Sequence, residues 1–226
     1  MTSSPASRPR VFRRGALAAV TLAWLYLASG PAAAQVLINP VLIELNSNQR
    51  VASVTVALSD KAVAPMRLQA EVLRWQQDAQ GNDALQPSND LLVTPPIADI
   101  RPGEKQMFRV ALRGARQGPG ELAYRLILED IASAAPANSG AKGMSIQFRM
   151  RYDLPVLIAP TGPIVNALQW QLCQPAARPA ATTAPEACVR ILNAGNRRVK
   201  VKTLTLSGDG WQQALEEKDG INILAG

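Results

Sequence analysis

The chain of 226 residues has no histidine and two cysteines, Cys173 and Cys188. Without an imidazole there is no Ser-His-Asp triad, no Cys-His pair and no histidine-ligated metal, and two thiols are too few for a cysteine-only zinc site. What is left for catalysis is carboxylate or lysine chemistry. A glycosidase needs a facing pair of carboxyl groups. Here Asp78, Asp83, Asp90 and Asp99 are scattered over turn-like stretches, the usual place for solvated acids. No phosphate-cradling P-loop spelling occurs. The residue set predicts no catalytic residue, no metal, no cofactor and no small-molecule substrate, and points towards binding.

Binding chemistry is better represented. Arg125 stands in AYRLILEDI (Ala123–Ile131), a stretch otherwise nearly all apolar, so its guanidinium must reach a partner or solvent. Glu129 and Glu71 are the expected intramolecular partners. In MSIQFRMRYDLPVLIAP (Met144–Pro160), Met144, Ile146, Phe148 and Met150 alternate with Ser145, Gln147, Arg149 and Arg151. The period of two gives one large apolar face and one polar face. Taken alone, such a face is expected to line its own core. Trp75 reads as a core or sheet-face aromatic rather than a ligand platform.

The elements that carry these residues begin after a leader. Residues 1–34 hold Arg8, Arg10, Arg13 and Arg14 and no acid, then an apolar run from Gly15 to Ser29, then Pro31 and Ala32-Ala33-Ala34. This is the three-part pattern of a secretory signal peptide with cleavage after Ala34. The apolar run falls short of the roughly 20 residues that span a membrane. Removing the four arginines takes the formal net charge from +7 to +3, too small a footprint for nucleic acid. Export also makes Cys173 and Cys188 disulfide candidates. Their bridge would close the loop QPAARPAATTAPEA, worth about 3 kcal/mol in the loop-entropy model.

After the leader, strand signals recur between turns. VLINPVLIEL (Val36–Leu45) is an edge strand or a strand broken at Pro40. VASVTVALSD, MRLQAEVLRW, DLLV, QMFRVALR, AYRLILEDI and the long stretch from Met144 follow. GNDALQPSND (Gly81–Asp90) and RPGE (Arg101–Glu104) read as turns, and ASAAPANSGAKG as a loop. Thr94-Pro95-Pro96 ends a strand, with one of its X-Pro bonds a candidate for cis. Short strands at this spacing predict an antiparallel Ig-like β-sandwich over 35–159, although a barrel has the same local signals. Pro160–Pro163 reads as a hinge. The remainder, 164–226, has strands in ALQWQL, ACVRILNAG and RVKVKTLTL. It is shorter than the roughly 100 residues of an Ig-like sandwich, and INILAG reads as a strand without a partner. The fold class expected is all-β, two Ig-like sandwiches, the second incomplete.

The ordered set of RW (Arg74-Trp75), DLLVTPPIADIRPGEKQMFRVALR, AYRLILEDI and a long strand ending in LPVLIAP resembles the periplasmic pilus-assembly chaperones of the chaperone–usher pathway. The RWQQD…DLLVTPPI spelling is most similar to the archaic branch. The resemblance covers about residues 36–160 well and the remainder weakly. It implies a non-enzymatic chaperone that lends a strand to pilus subunits whose own Ig-like fold lacks one, and passes them to an outer-membrane usher. Strand addition supplies main-chain hydrogen bonds for affinity and alternate side chains for fit.

Under the resemblance, the lent strand is the stretch from Met144, with Met144, Ile146, Phe148 and Met150 as its apolar face. Better-known branches grip the subunit's terminal carboxylate with one basic residue on the first strand and one on the lent strand. This chain departs from that pattern, because Val36–Leu45 has no basic residue. The anchor candidates that remain are Arg125, Arg149 and Arg151, through charge-assisted hydrogen bonds, with Arg125 expected to hold the carboxylate and Arg149 or Arg151 to help. The competing expectation is a secreted Ig-like pilus subunit or adhesin, which would carry an N-terminal donor extension. The expected mature chain starts directly at VLINP.

Overall fold

The computed structural model describes residues 35–46, 48–114, 118–132, 149–173 and 188–226. The expected signal peptide and Met144, Ile146 and Phe148 lie outside them. The described residues contain no helix.

Two sheets face each other in the N-terminal part. The first has the order β1 (Val36–Asn39), β3 (Val51–Leu58), β8 (Lys105–Leu112), β6 (Leu91–Thr94). The second has the order β2 (Ile43–Leu45), β10 (Arg151–Ile158), β9 (Leu122–Asp130), β4 (Met66–Gln77), β5 (Asp83–Pro87). A short β7 (Ile97–Ile100) pairs with the start of β4. All pairings are antiparallel except that of β2 with β10, which is parallel.

VLINPVLIEL is split as its proline suggests. The Asn39–Pro40 bond is cis, and the chain crosses there from the first sheet to the second. Thr94–Pro95 is also cis. The period of two then decides the core. Val54, Val56 and Leu58 from β3 and Phe108, Val110 and Leu112 from β8 meet Leu68, Ala70 and Val72 from β4, with Tyr124, Leu126, Leu128, Leu154, Val156 and Ile158. Each large apolar side chain so buried contributes about 1.5–3 kcal/mol.

Two sequence expectations are corrected here. Gly81–Asp90 is not only turn: Asp83–Pro87 is a strand paired to Leu73–Gln77. Its turn-rich composition is tolerated because β5 is an edge strand, where Pro87 breaks no ladder on the solvent side. INILAG does not lack a partner either. β14 (Trp211–Ile223) pairs with β13 (Val199–Gly208), setting Ile221 opposite Val201 and Ile223 opposite Val199. Gly210, at φ +78°, makes the turn between them. The other C-terminal pair is β11 (Leu168–Cys173) with β12 (Cys188–Asn193).

Candidate functional site: the open edge of strand β10

Strand β10 has two edges with different fates. Toward β9 it is fully paired, from Arg151 opposite Glu129 to Ile158 opposite Leu122. The Asp130 N–H donates to the Met150 carbonyl at 2.9 Å, so the even-numbered residues direct their backbone groups to β9. The odd-numbered residues direct theirs to the other side. There the Ala159 N–H donates to the Leu45 carbonyl at 2.9 Å, and β2 covers Val156–Ile158. Among the described residues, no strand covers that edge at Arg151 and Asp153. Unpaired strand edges invite pairing with another chain.

The side chains of β10 follow the same alternation. Leu154, Val156 and Ile158 are core, and Tyr152 packs against it. Met150 continues this face but is 47% exposed. The apolar stripe thus runs out past the rim of the core. Arg149 and Arg151 have the opposite parity. Arg151 approaches Glu129 at 3.7 Å with half its side chain exposed. Arg149 is exposed and, among the described residues, makes no ion pair.

Arg125 sits differently. It is on the outer face of the second sheet, on β9, opposite Pro155 on one side and Leu73 on the other. Its guanidinium lies 3.7 Å from the centroid of the Trp75 ring. It meets Asp83 at 3.2 Å and Asp153 at 3.4 Å, and its side chain is 17% exposed. The expected partners Glu129 and Glu71 are not the ones used. Register does not separate Glu71 from Asp153, since both stand beside Ile127; the side chain leans to Asp153 and Asp83. One cation therefore joins β10, β9, β4 and β5.

Trp75 itself is 2% exposed and clusters with Ala123 and Leu157, against which Leu42 and Leu224 pack. Its indole N–H has no acceptor among the described residues. Sequence reasoning missed the polar joint around this cluster. The Gln77 side chain donates to the Asn222 carbonyl and accepts from the Leu224 N–H, both at 2.9 Å. The Glu121 carboxylate, 4% exposed, accepts from the Arg198 N–H at 2.9 Å and faces Arg197 at 3.6 Å. The signal available was weak: an isolated Glu at the head of an apolar strand.

Cys173 and Cys188 form a disulfide between paired positions of β11 and β12. Among the described residues, no group of three acidic or thiol side chains is placed to hold a metal.

Two sheets with a first strand that changes sheets, a short parallel pairing to the sandwich's last strand and further β-hairpins beyond define an Ig-like β-sandwich protein. The family model of pili and flagellar-assembly chaperones, PapD N-terminal domain, matches residues 35–163, and the chain belongs to that family of non-enzymatic assembly chaperones. Pilus chaperones as a family work in the periplasm.

No curated protein matches the sequence. Solved structures do match in fold. A chain of the CsuC–CsuE chaperone–tip adhesion subunit pre-assembly complex, from the archaic chaperone–usher Csu pili of Acinetobacter baumannii, superposes with TM-score 0.60 at 20% identity, over 85% of this chain and 88% of that one. The class 5 fimbriae chaperone CfaA gives TM-score 0.53 at 17% identity, over 84% and 82%. The E. coli chaperone DraB gives 0.53 at 16%, over 84% and 80%. These likenesses show the two-domain Ig-like fold of pilus chaperones.

Proposed function

We propose that this protein is an archaic-branch chaperone that captures pilus subunits in the periplasm by lending them a strand, and hands them to an outer-membrane usher. The observation that carries the reading is the open edge of β10 at Arg151 and Asp153, beside an apolar stripe that leaves the core at the exposed Met150. The sequence continues that stripe with Phe148, Ile146 and Met144. The structural relative from the archaic Csu pili is itself a chaperone–tip subunit complex, which supports a pilus subunit as the partner here. Residues 1–34 are the export signal, 35–159 the subunit-binding domain, 160–163 the hinge and 164–226 the second domain in this reading.

For the subunit's terminal carboxylate, charge bookkeeping favours Arg149 and Arg151. Arg125 already has two carboxylates of its own chain, whereas Arg151 has one long contact and Arg149 none among the described residues. Arg125 then braces the lending strand through Asp153, and joins the carboxylate only by giving up a partner.

Co-expression with candidate pilin subunits, followed by co-purification from the periplasm, tests the function. The parent chain should recover a subunit in a stable complex. Changing Ile146 and Phe148 together to Ser should remove most of that capture while the melt stays cooperative and close to the parent's. A variant that loses its melt would mean the face is core, and the lending reading would fail.

A further inference from the structure

Pro155 stands where the two halves of the β10 edge meet. Its backbone has odd parity, so the nitrogen faces away from β9, and the lost N–H breaks no bond to β9. On the other side the parallel ladder advances two residues at a time. The Ala159 N–H donates to Leu45, and the pairing of Leu157 with Glu44 sets the next bond one step back at Ile43. The following step would need a donor at position 155 for the carbonyl of Val41. Proline has none, and the pairing of β2 ends at Ile43.

We infer that Pro155 divides the β10 edge: it stops the chain's own β2 from extending along the lending strand and sets the point where an incoming strand must end. The inference rests on the strand-lending reading and adds its register. The incoming strand pairs with the outward backbone groups of Arg151 and Asp153. At Pro155 it meets a position that cannot donate, and beyond it an edge occupied by β2. The N-terminal segment and the partner thus share one strand without competing, and a residue with an N–H at this position would let the chain's own segment advance by one bond, at Val41, against the end of the incoming strand.

Residue-resolved hydrogen exchange on the full mature chain, free and with the subunit recovered by co-expression, tests this. In the free chaperone, Leu157 and Ala159 should be protected. Arg151 and Asp153 should exchange at least about five-fold faster, the factor for one missing hydrogen bond. In the complex, Arg151 and Asp153 should become protected. Protection of both in the free chain, or of neither in the complex, overturns the proposal.

Pro155→Val restores the donor. The new backbone amide at that position should be protected in the free variant, and capture should fall about three- to five-fold with a melt no lower than the parent's. An unprotected amide there, or unchanged capture, overturns the proposal. Pro155→Ala gives the same reading should the valine variant fail to fold. A parent chain that captures no subunit defeats the lending reading itself. The division of the edge is then decided on free chains, by the Arg151 and Asp153 amides of the parent and the new amide of the Pro155→Val variant.

Discussion

The Arg125 guanidinium lies 3.7 Å from the centroid of the Trp75 ring, and the two residues stand on neighbouring strands of the second sheet. Stacking of this kind is worth about 0.5–2 kcal/mol, more as water is excluded. Asp83 and Asp153 hold the rim of the guanidinium, but both are nearly half exposed, so their ion pairs add little after screening. Arg125→Ala should therefore lower stability by about 1–2 kcal/mol in a denaturant melt. Arg125→Lys should lose less, keeping the charge but not the planar stack. Trp75→Ala should cost about 3–5 kcal/mol. Trp75→Phe should cost far less, because the N–H it removes has no acceptor among the described residues. A Trp75→Phe as damaging as Trp75→Ala would refute this account of the cluster.

A second contact ties the two sheets together and brings a pH dependence. The Tyr124 hydroxyl donates to Asp90 at 2.8 Å, and Arg74 reaches the same carboxylate at 3.2 Å. The Tyr124 bond, helped by Ser88 and Arg74 against partial burial, holds the Asp90 carboxyl below its ordinary value. A depressed folded-state pKa gives stability that is present above the unfolded value, about 3.9, and is lost as pH falls through the folded one. Acid melts below about pH 4 should therefore fall less steeply for Asp90→Asn than for the parent.

At the alkaline end, burial and then the bond to Asp90 push the Tyr124 phenol up, and burial and the Asp130 charge raise Tyr152. A raised folded pKa gives stability complete below about pH 10 and lost as pH climbs through the folded values. Tyrosinate absorbance of the folded mature chain should lag behind that of the unfolded chain as pH passes about 10. Coincident titration curves would contradict the burial of both rings.

Much of this was legible in period-two alternation. Val54, Val56 and Leu58, or Leu154, Val156 and Ile158, announce a strand and a buried face together, because the side-chain period is a property of the backbone. Strand β5 was hidden because Gly81, Asn82, Asp83 and Pro87 are turn formers. Only its pairing to β4 makes it a strand, and pairing is not written in local composition. The partners of Arg125 were hidden for a related reason. Asp83 is 42 residues away in sequence, and choosing it over Glu71 or Glu129 requires the register of four strands. Pro155 was visible as a residue, but its consequence depends on which edge its nitrogen faces.

The Cys173–Cys188 bond closes a loop at sequence separation 15. In the loop-entropy model that is worth about 3 kcal/mol to the hairpin of β11 and β12. Non-reducing mass spectrometry should find the exported chain two protons light. Replacing both cysteines with serine should destabilise the C-terminal strands by about this amount. The melt of the N-terminal sandwich should move little, since its core draws on none of them. Free thiols on both residues would end this account.

The carboxylate anchor is expected at the arginine that has charge to spare. Arg125 faces two acids and a ring, Arg151 faces Glu129 at 3.7 Å, and Arg149 has no ionic partner among the described residues. A carboxylate arriving at Arg149 displaces no ionic partner among the described residues, while one arriving at Arg125 must displace Asp83 or Asp153. A charge-assisted bond is worth about 1.5–3 kcal/mol, or roughly ten- to a hundred-fold in affinity. Arg149→Ala with Arg151→Ala should thus weaken subunit capture by at least about ten-fold without moving the melt, because both side chains are exposed and weakly paired. Arg125→Ala should lower the melt, with a smaller effect on capture that is regained on cooling. Adding one residue to the subunit's C-terminus should mimic the double arginine change, since it moves the carboxylate out of reach. If Arg125→Ala abolishes capture at a temperature where the chain is folded, and the double change does not, Arg125 is the anchor.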